Sequence, residues 1–178
     1  IHAIGGNNMH NAFMLVNFTP DDKSIGITKK ISAQIRALQN LGYNVYYTGY
    51  TKNGVAVFDN SGNIVETKPF RTKNEKINSL IRYSTLLKCA DKFIESAGLS
   101  FDLCYGRISA PTGRYIRFLN KLHSSGTKVI IEALSYFPGV KPKTLKSKYI
   151  AFFLNINQNK LKKVIDKFIT EGKVDNFY

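Results

Sequence analysis

The sequence predicts an α/β domain with a doubly wound, mostly parallel sheet. Short apolar runs typical of buried strands alternate with longer stretches of helical periodicity, and glycine-rich or polar loops separate the two. The chain has 178 residues, of which 43% are hydrophobic, enough for one well-filled core and rather short for two. We therefore expect one core, with ligands collecting at the carboxyl ends of the strands.

The first unit, Ala12–Gly42, reads as strand, loop and helix. Residues 13–16 form a nearly continuous apolar run, which is typical of a strand buried on both faces. From Thr28 the apolar residues recur at steps of four and three, which predicts a helix with one apolar stripe. The members of this stripe are Ile31, Ile35, Leu38 and Leu41. Thr28 is the predicted N-cap, and Gly42 is the predicted end of the helix.

The join between this strand and this helix is the first candidate site. Residues Ser24–Lys30 bring a glycine, two hydroxyls and two lysines to a helix N-terminus. Free backbone N–H groups and the helix dipole favour an anion at such a position. The alternative is that Gly26 only relieves a tight turn while Lys29 and Lys30 are solvated.

The next elements alternate as the fold class requires. Tyr43–Tyr50 is rich in β-branched and aromatic residues and is predicted as the second, parallel strand. Residues 55–58 and 64–67 flank a turn-forming segment, which predicts an inserted β-hairpin projecting from the sheet. A long helix is predicted over Asn74–Ala97. Its apolar residues are Ile77, Leu80, Ile81, Leu87, Ala90, Phe93 and Ile94.

Two further strands are predicted at Phe101–Tyr105 and Lys128–Ala133, with a helix ending near Ser124 between them. The loops that follow these strands, Gly106–Gly113 and Leu134–Gly139, supply the remaining candidate side chains. These are Arg107, Ser109, Ser135 and Tyr136, with Glu132 at the end of the last strand.

Arg107 and Glu132 each leave two interpretations open. Arg107 is either a pocket residue or an exposed loop arginine. Glu132 ends an otherwise apolar strand, where an unpaired carboxylate would be costly, so it either pairs with a basic neighbour or lines a polar site. We favour the polar site, because binding sites form at strand ends.

The chain is strongly basic, with 26 Lys and Arg against 12 Asp and Glu and a formal charge of +14. This charge attracts phosphates, anionic lipids or nucleic acid, and the lysines are densest between Lys141 and Lys167. No recognised nucleic-acid motif, G-x-G-x-x-G fingerprint or P-loop is present, which argues against a nucleic-acid partner and a dinucleotide oxidoreductase.

We expect neither a metal site nor a membrane span. Cys89 and Cys104 have no C-x-x-C spacing, which predicts buried free thiols in a reducing cytoplasm. No apolar run approaches the ~18 residues that span a bilayer, and no signal peptide opens the sequence. Residues 1–8 are Gly/Asn-rich and patternless, and we set them aside as a candidate cloning remnant.

Taken together, the chain from Ala12 to Asn176 resembles the N-terminal lobe of family 4 glycosyltransferases of the GT-B architecture. The opening strand followed by SIGITKK and QIRALQNLGYNVY carries the resemblance first. It continues in FDLCYGR with the loop after it, and in VIIEALSYFPG, which is similar to a turn of members that build bacterial surface polysaccharides. The order and spacing of these segments, more than any one motif, make the match.

The resemblance implies a Rossmann-like lobe on the acceptor side of an enzyme that transfers a sugar from a nucleotide-sugar donor to a glycan or lipid-linked acceptor, with retention. Residues 9–178 would form this lobe, and the C-terminal donor-binding lobe would be absent from the chain. The implied donor-phosphate loop is Gly26 with Ile25, Thr28 and Lys29. The implied acceptor-side pocket is Arg107, Ser109, Glu132, Ser135 and Tyr136.

The resemblance transfers no catalytic residue. Many members have a histidine where Ser135 and Tyr136 stand here, and the Glu-x7-Glu motif of the C-terminal lobe is absent. No cofactor is expected, because the nucleotide sugar is a substrate. No metal is expected either, because no Asp-x-Asp lies on a strand-ending loop. The expected location is the cytoplasm. The lysines would bind the anionic inner face of the cell membrane and give the protein a peripheral position there. The alternative function is a non-enzymatic basic module that binds nucleic acid or an anionic membrane.

Overall fold

The computed structural model describes residues 10–20, 26–72, 74–108 and 112–133, together with 148, 152, 156 and 159–163. The described residues between 10 and 133 form six strands and three helices. They are β1 (His10–Leu15), α1 (Gly26–Asn40), β2 (Tyr43–Thr51), β3 (Gly54–Phe58), β4 (Ile64–Pro69), α2 (Glu75–Ser96), β5 (Leu103–Ile108), α3 (Gly113–Ser124) and β6 (Lys128–Ala133).

The six strands form one sheet in the order β4-β3-β2-β1-β5-β6. Strands β2, β1, β5 and β6 are parallel, whereas β3 and β4 are antiparallel to their neighbours. The chain leaves β1 on one side to form β2 and returns on the other side to form β5, so the topological switch point lies between β1 and β5. The predicted α/β class and mostly parallel sheet are confirmed.

The helices cover opposite faces of this sheet. Because successive strand residues point to opposite sides, neighbouring residues of one strand pack against different helices. Met14 of β1 packs with Ile31 and Ile35 of α1 on one face. On the other face, Phe13 packs against α2 and α3, and its ring lies 5.5 to 6.2 Å from three other phenylalanine rings. The sheet therefore has two separate cores, of which the second is the larger and richer in aromatic rings.

Strands β3 and β4 continue the sheet beyond β2 instead of projecting from it as an inserted hairpin. Strand β3 is buried along its whole length because α2 packs against it. In the turn that follows, the Asp59 carboxylate accepts hydrogen bonds from the Ser61 and Asn63 N–H groups at 2.9 and 2.8 Å. The predicted turn is correct, but its strands belong to the central sheet.

Several predicted details of the helices are wrong. Helix α1 begins at Gly26, so Thr28 lies in its first turn and is not an N-cap. Leu41 lies past the helix end and is 74% exposed, and Ile77 of α2 is 47% exposed, so neither belongs to the apolar core. The predicted end at Gly42 is confirmed: the residue has a φ of 86° and its N–H donates to the Gln39 carbonyl at 2.9 Å.

Strand β6 has the predicted bounds, and α3 begins at the end of the predicted loop. The N-cap of α3 is Thr112, whose hydroxyl accepts a hydrogen bond from the Tyr115 N–H at 3.2 Å. Within the described stretches of the chain, we find no helix with both the length and the apolarity needed to cross a bilayer.

Candidate functional site

Strand β5 is three residues longer at its carboxyl end than the sequence predicts. Gly106, Arg107 and Ile108 pair in parallel register with residues 131–133 of β6, and Arg107 is directly opposite Glu132. Gly106 and Arg107 therefore lie in the strand and not in the loop after it. Because side chains alternate along a strand, Arg107 shares the α1 face with Tyr105, while Gly106 faces α3.

Five polar side chains meet on the α1 face at the carboxyl ends of β5 and β6, and we name them the carboxyl-end cluster. They are Lys30, Gln34, Tyr105, Arg107 and Glu132. The two α1 members are four residues apart and so lie on one side of the helix. The β5 members are two residues apart and so lie on one side of the strand.

Glu132 is the centre of this cluster. Lys30 donates to its Oε1 from Nζ at 2.6 Å, and the Tyr105 hydroxyl donates to its Oε2. Gln34 holds the Tyr105 hydroxyl in turn, with its Nε2 donating at 2.8 Å. Of the two interpretations of Glu132, the structure therefore contains the pairing with a basic neighbour. Its role in lining a binding site stays a prediction.

These contacts set the protonation of the cluster. Partial burial alone would raise the pKa of Glu132, but the hydrogen bonds from Lys30 and Tyr105 and the charge of Arg107 together lower it below its ordinary value. Burial, with the hydrogen bond and charge of Glu132, raises the pKa of Tyr105 to about 12. At neutral pH Glu132 is charged and Tyr105 is protonated. Glu132 is thus a carboxylate that accepts hydrogen bonds, and Tyr105 is a hydroxyl that donates one.

Arg107 is 7% exposed, so the interpretation as an exposed loop arginine is wrong. Its Nε lies 3.9 Å from Glu132 Oε2, and its Nε and Nη1 have no hydrogen-bond partner in the part of the chain that the structure describes. Buried guanidinium groups normally satisfy these donors with a carboxylate, a phosphate or water. Arg107 therefore has unused donors at the edge of the sheet where doubly wound folds bind ligands.

The start of α1 is the second predicted site, and the structure describes three of its four residues. A Cβ added at Gly26 would meet no heavy atom within 4 Å, so packing does not require a glycine there. Thr28 is buried, and its Oγ1 has no hydrogen-bond partner among the described residues. Lys29 is exposed. The contact of Lys30 with Glu132 joins this helix start to the cluster.

The other predicted site residues, Ile25, Ser109, Ser135 and Tyr136, lie outside the described residues, and their roles stay predictions. Conversely, the sequence analysis missed Tyr105 and Gln34. Their spacing held a signal: Tyr105 is two residues before Arg107 on a strand, and Gln34 is four residues after Lys30 on a helix.

The described residues include side chains of the types that bind metals, and two free thiols. No group of three His, Cys, Asp or Glu side chains among the described residues is placed to hold an ion. Cys89 and Cys104 are free and buried, as predicted. Burial raises the pKa of Cys89 to about 11 and that of Cys104 to about 12, so both remain thiols at neutral pH.

Comparison with known proteins adds no relative to this description. No protein-family model matches the chain, and neither a curated protein nor a solved structure is significantly similar to it. The carboxyl-end cluster and the start of α1 are therefore the features of the chain from which a function can be inferred.

Proposed function

We propose that this chain is the acceptor-side lobe of a glycosyltransferase that moves a sugar from a nucleotide-sugar donor to a glycan or lipid-linked acceptor, with retention, in surface polysaccharide synthesis. The observation that carries the proposal is Arg107, a buried arginine beside the switch point of the sheet, whose Nε and Nη1 have no hydrogen-bond partner among the described residues. A donor or acceptor of this class bears phosphate, which such an arginine binds well. The sequence resemblance supplies the reaction.

In this proposal the two candidate sites have different tasks. The start of α1 approaches the diphosphate of the donor, whose charge increases as the nucleotide departs and is stabilised by backbone N–H groups near Gly26. Arg107 and Glu132 orient the acceptor. A second lobe binds the remainder of the nucleotide sugar. The proposal assigns no cofactor or metal to the reaction.

The proposed location is the cytoplasmic face of the cell membrane, where lipid-linked acceptors reside. Lys160, Lys162 and Lys163 are exposed on one helical stretch, while Leu161 between them packs against the larger core. Such lysines contribute about 1 kcal/mol each near an anionic surface. The other lysines of the dense stretch, apart from the exposed Lys148, lie outside the described residues.

The decisive test is sugar transfer by the protein as its complete gene encodes it. Labelled nucleotide sugars would be offered with lipid-linked and soluble glycan acceptors, and transfer to one pair is the expected result. Arg107→Gln should abolish most of this transfer. The matched control is Arg114→Gln, which removes a partly exposed arginine 3.9 Å from Asp91 and should leave the rate nearly unchanged.

The alternative function, a basic module without catalysis, predicts a different pattern. The protein would bind anionic vesicles or nucleic acid in a salt-dependent way and transfer no sugar from any donor. Salt-sensitive binding to phosphatidylglycerol vesicles, with none to phosphatidylcholine, fits both functions. Only the transfer assay separates them, and absence of transfer with every donor and acceptor would contradict the glycosyltransferase proposal.

A further inference from the structure

We infer that Arg107 binds a phosphate group of a substrate, and that Glu132 positions the Arg107 guanidinium without neutralising its charge. The inference rests on the proposed function only for the identity of the molecule that carries this phosphate. The binding itself follows from the charges and contacts of the carboxyl-end cluster and can be measured without any sugar transfer.

The charges of the cluster do not balance. Among the described residues it contains two cations, Lys30 and Arg107, and one carboxylate, Glu132. Both oxygens of that carboxylate have closer partners than Arg107, because Lys30 and Tyr105 hydrogen-bond to them. One positive charge therefore remains, and it belongs mainly to Arg107. A buried charge is costly until a counter-ion or water reaches it.

The donors of Arg107 suit a tetrahedral oxyanion. A guanidinium presents its N–H groups as a planar fork that binds two oxygens of one phosphate. Among the described residues, Nε and Nη1 have no hydrogen-bond partner, and the Glu132 contact at 3.9 Å is an ion pair without a hydrogen bond. Nε and Nη1 point in different directions, so each is a separate donor for an oxyanion oxygen. The fork is held on a strand rather than a loop, which keeps its position fixed.

The neighbouring α1 helix adds to the attraction for an anion. It is 15 residues long, its first turn includes the buried Thr28 hydroxyl, and Lys30 connects it to Glu132. The positive end of the helix dipole therefore faces the same edge of the sheet as Arg107. An arginine with free donors and a helix N-terminus together recognise phosphate better than either feature alone.

The experiment is a titration of the 178-residue chain with inorganic phosphate, followed by the ¹⁵N–¹H signal of the Arg107 side-chain Nε. Sodium chloride at equal ionic strength is the control for general charge screening. A saturable shift of the Arg107 signal with phosphate, and none of similar size with chloride, is the expected result. Absence of a saturable shift would mean that water satisfies Arg107, and it would overturn the inference.

Three variants make the titration specific. Arg107→Gln should weaken phosphate binding about ten-fold or more, because it removes a charge-assisted donor pair. Arg114→Gln, the control, should change the affinity less than two-fold. Glu132→Gln removes the only carboxylate of the described cluster and should strengthen binding. For the Gln variants, phosphate affinity is followed by calorimetry, and unchanged far-UV circular dichroism verifies the fold.

The opposite directions expected for Arg107→Gln and Glu132→Gln keep the test valid even if one variant is unstable. If Arg107 and Glu132 formed only a structural ion pair, Arg107→Gln and Glu132→Gln would lower the phosphate affinity equally. That result, or unchanged affinity in Arg107→Gln, would contradict the inference.

Two sources of the phosphate remain to be distinguished, and the same titration does so. Uridine and guanosine diphosphates represent the donor, and farnesyl phosphate in mild detergent represents a lipid-linked acceptor. The source is the ligand whose affinity falls most in Arg107→Gln. Phosphate binding without transfer by the complete protein would refute the glycosyltransferase proposal alone, whereas transfer by the complete protein with no saturable phosphate shift at Arg107 would refute this inference alone.

Discussion

The two faces of the sheet differ although the same strands form both. On the face covered by α2 and α3, the side chains of β1 and β5 meet a dense core of aromatic rings around Phe13. On the α1 face, Ala12, Met14, Val45 and Leu103 belong to a smaller apolar cluster, but the carboxyl ends of β5 and β6 bear the polar cluster around Glu132. In β5 the change occurs between neighbours: Gly106 faces the core and Arg107 faces the cluster.

The number of covering helices explains this difference. Two helices fill one face. On the other face, α1 is the only helix among the described residues that covers the sheet, and Ile130 of β6 is 44% exposed. Near such an edge, polar side chains can be partly buried and still find partners on the helix. A doubly wound sheet that covers its two faces unequally can therefore combine a stable core with a binding surface.

The largest effect that the comparison predicts is in the aromatic core. Phe13 is fully buried, so Phe13→Ala should lower the free energy of unfolding by about 3 to 5 kcal/mol, from lost burial and a residual cavity. Urea unfolding followed by circular dichroism measures this loss. Ile64→Ala, at a side chain that is 55% exposed, is the control and should cost about 0.5 kcal/mol or less. Equal losses in both would contradict the assigned core.

A second prediction concerns Gly106, where the two faces are one residue apart. A Cβ on Gly106 would lie 2.5 Å from the buried Tyr115 hydroxyl oxygen, so Gly106→Ala should cost about 1 to 3 kcal/mol by overpacking. That hydroxyl has no hydrogen-bond partner among the described residues, so Tyr115→Phe alone should be neutral or stabilising.

The double variant tests this cause. Gly106→Ala combined with Tyr115→Phe should recover most of the lost stability, because the colliding oxygen is gone. The coupling free energy from chemical unfolding of all four proteins gives the answer. If the two effects simply add, contact with the Tyr115 hydroxyl is not the reason for glycine at position 106.

The third prediction is a pH dependence that belongs only to the cluster. The pKa of Glu132 is lower in the folded chain than its ordinary value of 4.5. Its contribution to stability is therefore complete above the unfolded pKa and is lost as the pH falls through the folded pKa. The difference in free energy of unfolding between the parent and Glu132→Gln should shrink as the pH falls below about 5. A difference that stays constant to pH 3 would show that the carboxylate charge does not stabilise the fold.

The sequence predicts what is local and misses what depends on pairing between distant strands. Strand β6 has its predicted bounds because an apolar run follows Gly126, whose φ of 90° requires glycine or a similar residue. Gly106 and Arg107 look like a loop by composition, and only their register with β6 extends the strand through them. The register between two strands cannot be predicted from one segment alone. The sequence therefore did not decide between a pocket position and an exposed loop position for Arg107.

The candidate site was also predictable only where it depends on local sequence. Glu132 stood out because an unpaired carboxylate at the end of an apolar strand is costly, and Arg107 because its predicted loop leaves a strand end. The structure brings these two residues together. Tyr105 and Gln34 did not stand out in the sequence, because tyrosine is common in strands and glutamine is common in helices. Their hydrogen bond forms only because α1 packs over β5. The partners of Glu132 thus follow from tertiary packing, whereas its importance follows from the local sequence.

The smallest effect on stability is expected at Gly26, which contrasts with Gly106. Both are glycines near the carboxyl edge of the sheet, but a Cβ at Gly26 would meet open space within 4 Å. Gly26→Val should therefore change the free energy of unfolding by only about 0.5 kcal/mol. Under the proposed function, it should nevertheless obstruct a phosphate that approaches the backbone N–H groups of α1.

The measurement is the Michaelis constant for the nucleotide sugar in the complete protein, beside a urea unfolding curve. Gly26→Val should raise this constant strongly at nearly unchanged stability. Lys29→Ala should raise it less, because an exposed ammonium group contributes mainly a long-range attraction that salt screens. If Gly26→Val transferred sugar at the parent rate with the parent constant, no phosphate would approach this helix start, and Gly26 would only shape the entry of the chain into α1.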